Sequence, residues 1–466
     1  EEGPLATKLG RQSVSGGAVG SPVSDSDPLA ERVREMVQST LAELPWKVRV
    51  QDWTGARWDA GGDAPHWSGH EALELEITPG AGRDLLGLNA MRFLERFVDG
   101  EADMEGNLYL LADIRSHARL TLKPWDVVRS RLRNRVMESP SRARDSVTSH
   151  YDIPEEALFY LDRAYRSYSC AMFEDPADLA REGLLRVGQG EGDDWDSLEK
   201  AQWRKFAHAA DYLAPGPEET VLDVGCGYPG FLKVLMDRHR CRNVVGWTHS
   251  ANQVREGREM LADYDRERYE LRQGDYREDD RVYDHIHSTG MISHVGPPGR
   301  DSGLVNYVRH VRRRIRDGGR YVHHSLMTGW QDRPLFDRVG PAFNRRYVWP
   351  GFFWYTLGDH VKALEENGFQ VAHIINLSPH YAKTTRAWYE RLLADRETFI
   401  RHAGEATFRA WRVFLAGTTA GFLNRSVHCY RLLCEAVDPE SSSPEVSEPA
   451  ANAAARFGFA AMAPPR

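Results

Sequence analysis

Apolar and polar residues follow two different periods along this chain, and the changes of period divide it. Between Leu29 and Leu44 the apolar positions Val33, Met36, Val37 and Leu41 recur at helical spacing and predict an amphipathic helix. Leu73–Ile77 alternates strictly, as a strand with one buried face does, and Met91–Gly100 is helical and stops at a glycine. These elements predict a small N-terminal α+β domain over residues 29–120, followed by a basic helical connector at 121–145. Farther on, short apolar runs predict strands at Thr220–Val224, Asn243–Trp247, Tyr269–Gln273, His285–Ser288, Arg320–Ser325 and Gln370–Leu377. Helical patterns separate them at Phe231–His239, Ala251–Tyr264, Leu304–Arg316 and Leu357–Asn367. Such alternation across residues 146–437 predicts an α/β domain, a Rossmann-like sheet with helices on both faces. Residues 1–28 and 438–466 lack periodicity, are rich in small residues, and are expected to be disordered.

Length and charge narrow the picture further. At 466 residues the chain exceeds one ordinary core, which fits two structured domains. The net charge of -8 gives no support for nucleic-acid binding. Two basic clusters, Arg129–Arg135 and Arg309–Arg316, read either as solvated helix faces or as surfaces for anionic headgroups or an acidic carrier. The five cysteines are scattered without a zinc-type pair and are read as reduced, which predicts a cytoplasmic protein. No apolar run is long enough to span a membrane, so any bilayer contact is expected to be peripheral. His285, His287 and His294 have no metal-like spacing, and no metal is expected.

The chemistry starts at Val221-Leu-Asp-Val-Gly-Cys-Gly-Tyr-Pro-Gly230. An apolar run enters a bend holding Gly225, Gly227 and Gly230, and a helical pattern leaves it. Glycines at a strand-to-helix bend let backbone approach a ligand, and open α/β sheets place nucleotide-like ligands at such carboxyl ends. A generic turn is the bland alternative, and the segments around this bend count against it.

In order, those segments are Phe97–Gly106, His150–Ile153, Tyr168–Phe173, Leu198–Gln202, the glycine turn, Gly246–Ser250 with Gln253, Gly274–Tyr276, Gly290–Gly296, His324 and Pro379–Thr384. Together they resemble the cyclopropane-fatty-acid synthase family, which includes the mycolic-acid cyclopropane synthases and consists of class I S-adenosylmethionine (SAM) methyltransferases. The resemblance implies SAM as cofactor, contacted by Tyr168, Ser169, Gln202, Asp223, Gly225, Gly227, Thr248, Ser250, Gln253, Asp275 and Tyr276. Taken singly, each polar residue here reads equally well as a cap or turn residue. The resemblance further implies methyl addition to an apolar alkene, with proton loss then closing a cyclopropane. In the family a bound bicarbonate takes that proton, and Cys170, His324 and Tyr381 match three positions of its site, with Leu326 at an apolar position beside them.

The fourth position departs from the pattern. The family reads Glu-His-Val-Gly where this chain reads Ser293-His-Val-Gly296. Serine keeps one hydrogen-bonding group but lacks a carboxylate's charge. Bicarbonate with Ser293, a different base (His324, Tyr381 or His323), and proton loss from another carbon all stand as readings. The last gives a methyl-branched or methylene product. A further rival is an inactive, lipid-binding relative.

The segment Tyr347–Tyr355 has six aromatics in nine residues. By default such a stripe is core, but the resemblance implies that Tyr347, Trp349, Phe352 and Phe353 wall an apolar substrate pocket. The implied partners are therefore an alkene-bearing chain, at a bilayer surface or on a carrier, and a homodimer is compatible with the sequence.

Overall fold

The computed structural model describes residues 27–117, 154–173, 198–297, 303–329, 339–349 and 351–437. The expected connector at 121–145, the His150–Ile153 motif, the Arg129–Arg135 cluster, residues 1–26 and the tail after 437 lie outside the described residues.

In the N-terminal unit, helix α1 (Pro28–Thr40) starts on Asp27, whose carboxylate accepts from the Leu29 amide at 2.8 Å and from Trp53 Nε1 at 2.7 Å. This capped proline start satisfies the helix's first turn. The unit continues through β1 (Lys47–Gln51), β2 (Arg57–Ala60), β3 (Ala72–Glu76), α2 (Pro79–Leu86), α3 (Ala90–Val98), β4 (Asp103–Gly106) and α4 (Leu110–His117). Its four strands run in the order β2-β1-β3-β4.

The larger unit starts with α5 (Leu198–Leu213), then β5 (Thr220–Val224), α6 (Gly230–Arg238), β6 (Asn243–Thr248), α7 (Ala251–Met260) and β7 (Tyr269–Gln273). Next come β8 (His285–Thr289), α8 (Gly303–Arg313), β9 (Arg320–Thr328), α9 (Val339–Tyr347), α10 (Leu357–Glu365) and β10 (Phe369–Asn376). Three helices, α11 (Ser378–Ala394), α12 (Arg396–Ala403) and α13 (Glu405–Leu423), lead to β11 (Val427–Ala436). The seven strands run β10-β11-β9-β8-β5-β6-β7, parallel from β9 to β7 and antiparallel where β11 enters between β9 and β10. Every strand and helix expected for this sheet is present, with ends moved by no more than about one helical turn.

Strands β5 and β8 leave in different directions along the sheet, so the crevice beyond their carboxyl ends is the topological switch point where such folds bind ligands. Helices α11 and α13 stand over this end and pack together through a Thr385–Thr419 hydroxyl pair at 2.7 Å. They also tie in the N-terminal unit. Arg412 reaches Glu105 through both guanidinium arms at 2.9 and 2.7 Å, and Arg409 donates to the Phe97 carbonyl at 3.1 Å. Arg346 of α9 reaches Glu95 at 2.7 Å.

Most of the basic cluster Arg309–Arg316, at the end of α8 and just beyond it, is engaged within the fold, and Arg313 is exposed. Arg309 bonds Asn367, Arg312 bonds the Gly368 carbonyl and Asp317, Arg314 bonds the Asp280 carbonyl, and Arg316 pairs with Asp284 and Glu219. Among the described residues, no helix is long and apolar enough to cross a membrane.

Candidate active site

One cavity of about 1080 Å³ opens at the switch point. Single-ligand pockets hold about 300–1,000 Å³, so there is room for a cofactor and part of a second molecule. Its polar end is built on the glycine turn. Gly225 sits at φ +73°, and a Cβ there would come within 2.6 Å of the Met291 side chain, so the residue is required twice over. Asp223, just before it, is held by His287, whose Nδ1 lies 2.7 Å from Asp223 Oδ1 and whose Nε2 accepts from the Thr289 hydroxyl at 2.9 Å. Phe231 stacks on the His287 ring at 3.9 Å. Burial lowers the pKa of His287 against the pull of Asp223 and keeps the ring a neutral bridge.

Around the second strand, the Thr248 hydroxyl donates to Gln253 Oε1 at 2.5 Å, and Ser250 caps α7 by accepting from the Gln253 amide at 3.3 Å. The capping role and a place on the cavity wall therefore coexist at Ser250. Asp275 and Tyr276 close this end. The Arg277 guanidinium bonded to Asp275 holds its carboxyl at about 2, so it is charged throughout the physiological range.

The other end is aromatic. Tyr168 stacks on Trp388 with centroids 4.9 Å apart and meets Trp349 edge-on at 5.5 Å. Trp349 also packs against Phe352 and Phe414, and Trp411 Nε1 donates to the Tyr160 hydroxyl at 3.0 Å. Tyr381, on α11, stacks on Phe422 at 4.8 Å, and burial raises its pKa well above the usual phenol range. The buried hydroxyl of Ser293 has no hydrogen-bond partner among the described residues. Ser293 is carried into the cavity wall by the 3₁₀ turn Met291–His294, which Gly290 enters at φ +80°.

The comparison with protein families decides the kinship. The family model described as mycolic acid cyclopropane synthetase matches residues 138–432. The chain belongs to this family, and it is an enzyme of that kind. A probable fatty acid methyltransferase of Pseudomonas putida is 27% identical over 344 residues, which cover 72% of this chain and 80% of the relative. A sphingolipid C9-methyltransferase of Candida albicans is 25% identical over 312 residues. That match covers 64% of this chain but only 56% of the relative, so the chain spans little more than half of that protein. A mycolic acid cyclopropane synthase solved with SAH and CTAB superposes with a TM-score of 0.54 at 24% identity, over 62% of this chain and 97% of that one, and shows the shared fold.

Within this family member the expected site residues fall into two groups. Tyr168, Ser169, Asp223, Gly225, Gly227, Thr248, Ser250, Gln253, Asp275, Tyr276, Ser293, His324, Trp349, Phe352 and Tyr381 all line the cavity, as does Leu326. Gln202, Cys170, Tyr347 and Phe353 do not. Gln202 is fully buried behind the wall, where its amide donates to the Ser167 and Ser169 carbonyls at 3.3 and 3.0 Å and so supports the cofactor-side loop. Cys170 turns its thiol toward the Leu377 carbonyl at 3.6 Å, next to Cys429 and His324. Tyr347 packs on Phe343, and Phe353 lies under Arg345. His323 points to the opposite face of the sheet, where it bonds Tyr321 and His360, and it is removed from the set of candidate bases.

Sequence reasoning missed Trp411, Tyr160, His287 and Cys429 on the wall, and Lys205 and Arg431 behind it. Lys205 donates to the Ser167 hydroxyl and to the Ser169 hydroxyl at 2.8 Å, and desolvation pulls its pKa down to about 7. The Asp223–His287 pairing follows from the register of β5 against β8, strands that are not consecutive in the chain.

Proposed function

We propose that this protein transfers a one-carbon unit from SAM to a carbon–carbon double bond of an apolar, lipid-like substrate, with a cyclopropane as product. The observation that carries this reading is the single cavity joining a charged glycine-turn end to an aromatic end. SAM fits the first. Gly225 and Gly227 leave the backbone open at φ +73° and +55°, Asp223 and Asp275 offer carboxylates, and Thr248 and Gln253 offer hydrogen-bonding groups for hydroxyls. When bound, SAM supplies an electrophilic methyl group on a sulfonium.

The chain's own residues supply the surroundings. Tyr168, Trp349 and Tyr381 present aromatic faces, which favour cationic charge and exclude water. The unpartnered hydroxyl of Ser293, with Tyr381 also on the cavity wall, is available to hold an anionic proton acceptor. Arg431, a buried cation behind that wall, favours an anion in a site where position 293 carries no carboxylate. Bicarbonate fits this donor set as the acceptor.

A second reading, transfer of a methyl group without ring closure, is favoured by uncharged Ser293 and by the sphingolipid C9-methyltransferase among the relatives. Purified protein incubated with SAM and vesicles of monounsaturated phospholipid tests both. SAH formation with upfield cyclopropane protons in the product's NMR spectrum supports the first reading. SAH with a vinylidene or branched-methyl signal supports the second, and absence of SAH across lipid and carrier-bound alkenes overturns both.

A further inference from the structure

The strand register sets Arg431 of β11 opposite His324 of β9. Arg431 is fully buried, and its contacts include no carboxylate. One guanidinium arm donates to the Lys205 carbonyl at 3.2 Å and to His208 Nδ1 at 2.9 Å, and the other lies 3.4 Å from His324 Nδ1. Its Nε has no acceptor among the described residues.

A guanidinium only donates, and it keeps its charge. The contact with His324 therefore has one polarity, with the Nδ1 lone pair accepting. A neutral imidazole whose Nδ1 accepts carries its proton on Nε2. That Nε2 lies 3.1 Å from Cys429 Sγ, at the cavity wall. An imidazolium would set N–H against N–H at Arg431 and add a further cation beside Lys205. Burial, reinforced by both cations, pushes the ring's pKa well below the usual histidine range.

We propose that Arg431 is a positioning residue that locks His324 in the neutral Nε2–H tautomer, so that His324 donates a hydrogen bond toward the cavity and accepts no proton there. The last clause rests on the proposed alkene chemistry; the tautomer does not. The consequence is that the proton released in that chemistry goes to a bound anion, since burial also keeps Tyr381 a protonated phenol. The same polarity removes the lone pair that a metal ion would need, although the ligand-type atoms of Cys170, His324 and Cys429 lie within 4.8 Å of one another.

Long-range ¹⁵N–¹H NMR of the full chain with ring-labelled histidine tests the assignment, with the His324 signals identified by their loss in His324→Asn. The groups facing the ring are Arg431 and Cys429 from β11, Lys205 from α5, Cys170, and His287 from β8. The expected result is an Nε2–H pattern that holds between about pH 5 and 8, where a free histidine titrates. Arg431→Lys, which keeps a donating cation, retains that pattern, and Arg431→Met gains Nδ1–H signal or titrates within the range. A His324 ring that is Nδ1–H or titrating in the unmodified protein overturns the proposal, as does an Arg431→Met spectrum identical to wild type. Should Arg431→Met not fold, the wild-type and Arg431→Lys spectra still decide. An absence of SAH in the activity assay would overturn the function and leave the tautomer standing.

Discussion

The Phe353 amide donates to the Ser293 carbonyl at 2.8 Å, so the aromatic segment and the turn bearing the chain's uncharged site residue are fixed to each other. Position 293 is thus held by its backbone, and its side chain is free of structural duty. Ser293→Ala is expected to change thermal stability little, since no partner is left unpaired. If the hydroxyl holds a charged acceptor, its loss costs about 1.5–3 kcal/mol, or roughly 10- to 100-fold in turnover. Melting curves and SAH release rates measured side by side check this. A destabilised protein with normal turnover contradicts it.

At Gly225 the obstacle is first of all the protein itself. Gly225→Ala places a Cβ 2.6 Å from Met291 and at φ +73°, a left-handed conformation that costs an ordinary residue about 1–2 kcal/mol. Cofactor affinity by calorimetry is expected to drop by about tenfold or more. Adding Met291→Ala should recover part of the loss, because it relieves the collision and leaves the backbone cost.

Arg412 is a test of the N-terminal unit without touching the cavity. It is 3% exposed and grips Glu105 with two bonds, while Glu105 itself is half exposed. Discounted for that exposure, Arg412→Met should lower stability by about 1–2 kcal/mol, seen as a lower denaturant midpoint. SAM affinity is expected to stay as it was.

Buried histidines make the fold sensitive to acid. Burial lowers the pKa of His208 and of His360 to about 3 in each case. The unfolded chain binds those protons near pH 6.5 and the folded one does not, so stability is full above about pH 6.5 and declines as pH falls toward 3. Each residue contributes a slope of about 1.4 kcal/mol per pH unit in that window. Thermal melts between neutral and mildly acidic pH should show the decline, and His360→Asn should make it shallower.

The strands from β5 to β10 were legible because buried apolar runs and glycine bends sit where the chain reverses. The last strand was not, since Val427–Ala436 interrupts its apolar pattern with His428, Tyr430 and Arg431, and Arg431 is nonetheless wholly buried. Helices α11 and α13 are buried on most sides and so lack the one-sided stripe that marks a surface helix. The same limit applies to the site. Ordered motifs located the cofactor end, but the contacts Arg431–His324 and Trp411–Tyr160 join positions far apart in sequence through strand register and helix packing, which no local pattern records.

The position of β11 bears on how the molecule is made. It is the last strand among the described residues, yet it slots between β9 and β10, which precede it. During synthesis the ribosome delivers the glycine turn and its sheet neighbours well before Cys429 and Arg431, so one edge of the nascent sheet waits unpaired and the cavity wall stays open. Insertion of β11 then closes both the sheet and the cavity.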